Sequence, residues 1–250
     1  MTNDQPIPDA QRHRAEQLQQ FCGELGLDTG HSPKEEATLA LVNEALTHTS
    51  AGRPLNHERL EFLGDAVLRL AASEFIEQHH PQLPVGERSA LRAQLVSDRW
   101  LASLGETIGI ERVLEIGAKA RGDTAGRATL QAEASEALIG AIYQAWGSLA
   151  PVHTWLTPHW QRTSAAVLAD PHKGNAKSAL QEWSQARKLG LPVYNSLETS
   201  RRHGDPRRFH CQVKLKEKTL AEGWGGSRRD AEQRAAQAAL QDVEGDGVER

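Results

Sequence analysis

Apolar residues recur at helical spacing from about residue 8 to 160, in a stretch rich in Ala, Leu, Glu, Gln and Arg with few β-branched runs, which predicts an all-helical region. Its clearest helix runs from His57 to Gln78, where Leu60, Leu63, Val67 and Leu70 fall at i, i+3, i+7 and i+10 and form an inward stripe. Ala137 to Tyr143 is apolar nearly all round and predicts a buried helix. Beyond residue 175 the period changes. Residues 176 to 188 fit a short amphipathic helix with Leu180 and Trp183 inward, then Phe209, Cys211, Val213 and Leu215 alternate with polar neighbours as a strand. Lys218 to Gly223 predicts the return strand, Pro192 to Glu198 a weaker first strand, and Arg201 to Arg208 a basic loop between the first two. A closing helix starts near Ser227, which can cap its first turn, and packs through Ala235, Ala236, Ala238, Ala239 and Leu240. Ala169 to Asn175, with Pro171 and Gly174, breaks the helical pattern and marks the join.

Charge supports the same division. The net charge of the 250-residue chain is -4, yet residues 175 to 240 carry +6 and the remainder -10. An acidic body suited to divalent cations is thus tied to a basic module suited to a polyanion, which points to a nucleic-acid enzyme. With hydrophobic residues at 38% there is material for a real core. No apolar run approaches the roughly 18 residues of a membrane span, and the polar N-terminus does not read as a signal peptide, so a cytoplasmic protein without membrane association is expected. Cys22 and Cys211 lie far apart with no CxxC, which excludes a disulfide scaffold and a Cys-rich zinc site and predicts two reduced core thiols. The 11 histidines form no HExxH. Phosphate-loop, dinucleotide-binding and GxSxG signatures are missing too, so no nucleotide cofactor is expected and the chemistry falls to carboxylates.

Two carboxylate clusters stand out. Glu58, Glu61 and Asp65 lie at i, i+3 and i+7, on one helix face, where like charges repel unless a cation sits between them. Gly64, inside that row, costs roughly 1 kcal/mol relative to Ala, which predicts a very close neighbour. Glu133 and Glu136 precede the buried Ala137 to Tyr143 segment. The plain alternatives are a solvated face decorated by Arg59 and Arg69 for the first cluster and a helix first turn favoured by the macrodipole for the second. Two helices each presenting carboxylates one turn apart suit Mg²⁺, a hard cation that takes oxygen ligands. Such ions can supply what phosphodiester hydrolysis needs: activated water, charge stabilisation at phosphorus and support for the leaving 3′ oxygen.

The stretch His57-Glu58-Arg59-Leu60-Glu61-Phe62-Leu63-Gly64-Asp65-Ala66-Val67-Leu68 resembles the signature helix of the ribonuclease III family nearly letter for letter. Ala45 to Ser50, Leu91 to Val96 and Glu136 to Ala141 resemble the family's ALTHxS, LRAxLV and EALIGA runs, in the same order and spacing. The second module resembles a double-stranded RNA-binding domain, through Leu180-Gln181-Glu182-Trp183 and the GxGxSRRxAExxAA pattern from Gly223 to Ala236. The implied architecture is an all-α nuclease domain at 15–165, after a tail at 1–14, then a linker at 166–174, a small α+β (α-β-β-β-α) RNA-binding domain at 175–243 and a tail at 244–250.

The resemblance implies an endoribonuclease that cuts double-stranded RNA by Mg²⁺-dependent hydrolysis, with Mn²⁺ as a substitute, leaving 5′-phosphate and 3′-hydroxyl ends. It implies a homodimer, whose close helix approach Gly64 would suit, and roles in ribosomal RNA maturation and in messenger RNA processing or decay. Metal-binding carboxylates carry over to Glu61, Asp65, Glu133 and Glu136, and catalytic roles to Asp65, Glu136 and Glu58, the last lining the catalytic valley. Arg228 and Arg229 at a helix N-terminus would meet phosphates, Gln181 and Glu182 would reach 2′-hydroxyls in the minor groove, and His203 would contact RNA from the loop, with Arg207 and Arg208 as further loop contacts.

Three positions depart from the family pattern. Glu133 stands where the family usually has Asp, so its carboxylate hangs from one extra methylene, which opens an alternative reading as an RNA-binding protein with weakened or lost cleavage. Val85 replaces a common acidic residue beside Gly86-Glu87. The loop reads Arg202-His203-Gly204-Asp205-Pro206 in place of a Gly-x-x-His element. A di-iron helical oxidoreductase needs two Glu-x-x-His motifs, and only Glu77 to His80 provides one.

Overall fold

The computed structural model describes residues 9–29, 35–122, 126–170, 175–202 and 205–245. The chain divides into two compact units, residues 1–165 and 166–250.

In the first unit the helices are α1 (Asp9–Glu24), α2 (Glu35–Ala45), α3 (Glu58–His79), α4 (Val85–Leu95), α5 (Asp98–Thr107), α6 (Ala118–Arg121), α7 (Arg127–Trp146) and α8 (Ala150–Ala169). α1 begins inside the stretch expected as an N-terminal tail. The centre is α7, which packs on α2, α3 and α5. Gln131, Ala132, Ala134, Ser135 and Ala137 through Ile142 of this helix are all buried, as its nearly unbroken apolar circumference requires. Gly147 ends it in the left-handed conformation, its N–H donating to Tyr143 O. Around the far end of α3, Phe75, Trp100 and Trp160 join α3, α5 and α8, with Trp160 Nε1 donating to Leu95 O at 3.2 Å.

α3 follows its predicted range within a residue and stops just before Pro81. Its inward stripe differs in one position. Leu60 and Val67 are buried and Leu63 half-buried, but Leu70 is 54% exposed, and the series continues through Leu68, Ala71, Ala72, Phe75 and Ile76. At about 100° per residue, position i+11 returns to the direction of Leu60 whereas i+10 lies about 80° away from it. Phe62, on the opposite side, is 84% exposed.

The segment between α2 and α3 is tied to the chain after α5. Thr47 bridges Glu115 in parallel, with His48 N donating to Glu115 O and Glu115 N to Leu46 O, while His57 N donates to Thr47 O at 2.9 Å. These bonds fix His48 and His57 at the mouth of α3.

The second unit holds α9 (Ala176–Ala186), β1 (Val193–Glu198), β2 (Phe209–Leu215), β3 (Lys218–Gly225) and α10 (Arg228–Gly245), with an antiparallel sheet in the order β1-β2-β3. Cys211 pairs with Ser196 on one side and Gly223 on the other. Leu180, Cys211, Val213, Ala231, Ala235, Ala239 and Leu240 form the core, and Trp183 packs partly buried against it. α10 rests on β3 so closely that a Cβ on Gly223 would lie 2.4 Å from Ala235 N. Both cysteines are buried free thiols. Among the described residues no helix is long and apolar enough to cross a membrane.

Candidate active site and nucleic-acid face

α3 and α7 cross at two glycines. A Cβ on Gly64 would lie 2.0 Å from the Glu136 carbonyl oxygen, and one on Gly140 would lie 2.1 Å from that of Leu60. No side chain fits at either point, so the two backbones touch and the flanking side chains are pressed together. Gly64 therefore has its close neighbour in α7 of its own chain, not in the second copy that its expected dimer role requires.

The crossing brings four of the five predicted carboxylates together. Asp65, beside Gly64, shares a side-chain hydrogen bond with Glu136. Burial, with Asp65, Glu61 and Asp98 nearby, pushes the Glu136 carboxyl up to about 7. The Asp65 carboxyl is shifted the other way: it is held below the ordinary range by Arg69, one turn on, whose Nη2 lies 2.6 Å from Asp65 Oδ1. Burial and then the charge of Glu133 raise Glu61 above the usual carboxylate range, against the pull of His57. Glu58 is exposed at the first turn of α3 and acts on Glu61 and His48 only through its charge.

Glu133 and Glu136 do not sit in the first turn of a helix. α7 starts at Arg127, so the macrodipole account fails for them, and they lie two turns in. Glu133 turns toward two histidines that sequence spacing does not connect. Its Oε2 lies 3.7 Å from both His48 Nε2 and His57 Nε2, and His57 Nε2 is 3.3 Å from Glu61 Oε2. The His48 and His57 rings stack at 4.9 Å between centroids. His48, His57 and Glu133 form a group whose ligand atoms lie within 4.8 Å of one another. His48, His57, Arg69 and Asp98 were all missed as site residues. Arg69 stands one turn from Asp65 and is legible from spacing, whereas only the fold brings the others in: the two histidines through the turn before α3, and Asp98 on α5.

In the second unit Arg228 and Arg229 are exposed at the start of α10, where Ser227 Oγ accepts the Asp230 N–H at 3.1 Å as an N-cap. Gln181 and Arg229 line one cleft of about 440 Å³ with Lys177, Ser178 and Tyr194. Glu182 is exposed at the next position of α9. His203 lies outside the described residues. Arg207 stacks over the Trp224 ring at 4.9 Å, and Arg208 is paired with Glu198 at 2.8 Å, so both loop arginines are tied back to their own sheet.

The chain matches the family profile "Ribonuclease-III-like" over residues 39–152 and "Double-stranded RNA binding motif" over 176–243. It is similar to "Ribonuclease 3" of Prochlorococcus marinus, 49% identical across 96% of this chain and 98% of the relative. "Ribonuclease 3 2" of a Synechocystis species is 42% identical across 92% and 93%. Among solved structures, the nuclease domain of the Campylobacter jejuni ribonuclease III is similar at 27% identity and a TM-score of 0.48, covering 58% of this chain and 94% of that one.

Proposed function

The chain belongs to the ribonuclease III family, and from that membership we propose that it is an Mg²⁺-dependent endoribonuclease of double-stranded RNA, hydrolysing phosphodiesters to 5′-phosphate and 3′-hydroxyl ends. The observation that carries this reading is the Gly64–Gly140 crossing, which packs Glu61, Asp65, Glu133 and Glu136 from two helices into one site. Those four carboxylates are the residues that hold the metal. The fit rests on their donor chemistry: all are oxygen ligands, and the Glu136 carboxyl is raised first by burial and then by the negative charge of Asp65 and Glu61. Mg²⁺ bound there supplies water activation, charge neutralisation at phosphorus and support for the leaving oxygen, and Mn²⁺ suits the same ligands.

The chain's own residues do the rest. Glu136 takes up a proton more readily than an ordinary carboxyl and would have to be ionised to hold a metal, while Arg69 pairs with Asp65. Glu58, exposed at the rim, extends the negative field toward the substrate side. Arg228 and Arg229 add full charge to the partial charge of the α10 N-terminus and grip phosphates. Gln181 and Glu182 meet the minor groove, as a shape reader of A-form RNA requires, and His203 is a further RNA contact on the loop. The working bounds are 15–165 for the nuclease domain and 175–243 for the RNA-binding domain. The exposed Phe62, on the α3 face turned away from the core, supports a homodimer. Processing of ribosomal precursors and of structured messages in the cytoplasm is the role consistent with such an enzyme.

The test is cleavage of long double-stranded RNA by the purified chain in Mg²⁺ against EDTA, alongside Glu136→Gln. Short duplexes that appear only in Mg²⁺, with Glu136→Gln binding but not cutting, support the reading. Binding without cutting by the unaltered chain favours the second reading, an RNA-binding protein with a lost activity. Its supporting observation is the lean of Glu133 toward His48 and His57.

A further inference from the structure

We propose that the cleft between α9 and α10 in the second unit takes one unpaired nucleotide of the RNA, its base swung out of an otherwise continuous duplex. The inference rests on the reading of this unit as an RNA-binding domain and adds to it a preference among substrates.

The placing of the cleft is the first argument. Gln181 of α9 and Arg229 at the start of α10 line it from different helices, and they are the residues assigned to the minor groove and to phosphate. An RNA held by both lies across the opening. In a perfect A-form duplex the bases are stacked inside, and only the backbone and the groove edges reach a protein, so such an RNA leaves the cleft unfilled. An unpaired base has no partner to lose and unstacks at small cost, which leaves it free to enter. The cleft, at about 440 Å³, falls in the size range of pockets that hold small organic molecules, and a single nucleotide is of that kind.

The second argument is the lining, which suits a base better than it suits phosphate alone. Lys177 is already engaged: its Nζ lies 2.5 Å from Glu232 Oε2 and 4.5 Å from the centre of the Tyr194 ring. Arg229, which is exposed, is therefore the one lining cation without an acidic partner among the described residues. What remains is neutral. Leu191 is 58% exposed and, with Pro192, forms an apolar wall. Asn175, Ser178, Gln181 and Gln233 contribute three carboxamides and a hydroxyl, the groups that match donors and acceptors on a base edge. An apolar wall beside such groups fits a flat ring with a polar rim, and Arg229 is left for the phosphate attached to it.

The third argument is order. Gln233 Oε1 accepts the Lys177 N–H at 3.3 Å while its Nε2 donates to Asn175 Oδ1 at 3.4 Å, so the two carboxamides hold each other and Asn175 keeps its Nδ2 hydrogens for a ligand. Glu232, which pairs with Lys177, also accepts from Ser196 Oγ at 3.2 Å, so α9, α10 and β1 are tied together at this point. The elements that wall the cleft are thus joined before RNA arrives, and little ordering is left to oppose binding.

The experiment measures, by fluorescence anisotropy in EDTA, the binding of the full-length protein to a duplex of about 20 base pairs and to the same duplex carrying one unpaired adenosine at its centre. The bulged RNA is expected to bind roughly tenfold tighter, as one well-matched base contact allows. Leu191 is exposed and makes none of the proposed duplex contacts, so in Leu191→Ser that preference should fall below about threefold while the perfect duplex binds as before. Unchanged binding of the perfect duplex also shows that the variant is folded. Equal affinity of the unaltered chain for the two RNAs overturns the inference and leaves the RNA-binding reading standing. A preference that survives Leu191→Ser undiminished overturns it as well, because the bend at the bulge then accounts for the gain. Failure to bind either RNA overturns the reading and the inference together.

Discussion

Gly64 lies against the backbone of Glu136 so closely that a Cβ at the first residue would stand 2.0 Å from the carbonyl oxygen of the second. That contact sets the distance between the helices whose carboxylates make up the site. Gly64→Ala would gain about 1 kcal/mol in helix propensity but must push α7 away. Overpacking of this kind costs typically 1 to 3 kcal/mol, so the net expectation is a modest fall in stability and a large fall in cleavage. Circular-dichroism melting together with the RNA gel assay checks this. A variant with full activity would mean that the crossing does not set the site.

The proton on Glu136 makes a second expectation. A carboxyl raised from 4.5 to about 7 by burial and by Asp65, Glu61 and Asp98 binds its proton more tightly in the folded chain than in the unfolded one. Its contribution to stability is then fully present below about 4.5 and is lost as pH rises through about 7. Asp65, held low by Arg69, works in the opposite direction, but only below its ordinary value of 3.8. Metal-free protein should therefore melt lower at neutral pH than at mildly acidic pH. Glu136→Gln should flatten that trend, and Mg²⁺ should bind more weakly as pH falls below about 7. An unchanged slope in Glu136→Gln would assign the trend to other groups.

Arg69 competes with any cation for Asp65. Both side chains are about half exposed, so the pair is worth no more than about 1 kcal/mol. Arg69→Gln should accordingly lower the Mg²⁺ concentration for half-maximal cleavage by up to about fivefold. An Mg²⁺ midpoint that rises instead would mean that Arg69 helps to hold RNA or metal.

Much of this arrangement is legible in the chain because it is periodic. The apolar circumference of Ala137 to Tyr143 predicts the burial of α7, the i, i+3, i+7 row places Glu61 and Asp65 on one face, and the alternation from Phe209 to Leu215 predicts β2. The misreadings come where period gives way to contact. Leu70 fits a ten-residue step but not the three-turn repeat near eleven that faces the core. The start of α7 at Arg127 has no capping side chain to announce it, so Glu133 and Glu136 read as a first turn. His48 and His57 meet only because the Thr47–Glu115 bridge folds their segment back, and no spacing rule encodes that pairing.

In the second unit, Gln181 and Arg229 face one cleft from different helices, so their effects on RNA should differ in kind. If Arg228 and Arg229 grip phosphates as proposed, Arg228→Ala and Arg229→Ala should each weaken binding evenly across sequences and lower the salt slope by about 1. Gln181→Ala should weaken binding with the slope unchanged, because the contact proposed for it is to an uncharged hydroxyl. Binding isotherms at several salt concentrations separate the two patterns. Equal slopes in all three variants would remove the arginines from the phosphate contact.

Phe62 is 84% exposed on the face of α3 opposite the core, with Ala66 exposed one turn on and Leu70 at 54% two turns on. An apolar stripe of this length on a solvent face is an unfavourable arrangement for a monomer, and burying it against a second copy removes it from water at roughly 25 cal/mol per Å². Because Phe62 makes no core contact, Phe62→Glu should leave the fold of one chain intact. In a dimer joined through this face, two such glutamates would meet across the twofold axis, so sedimentation should show the variant shifting to monomer at concentrations where the unaltered chain pairs. Cleavage of both strands of a duplex should fall with it. A variant that still sediments with the unaltered chain would place any dimer contact elsewhere on the surface.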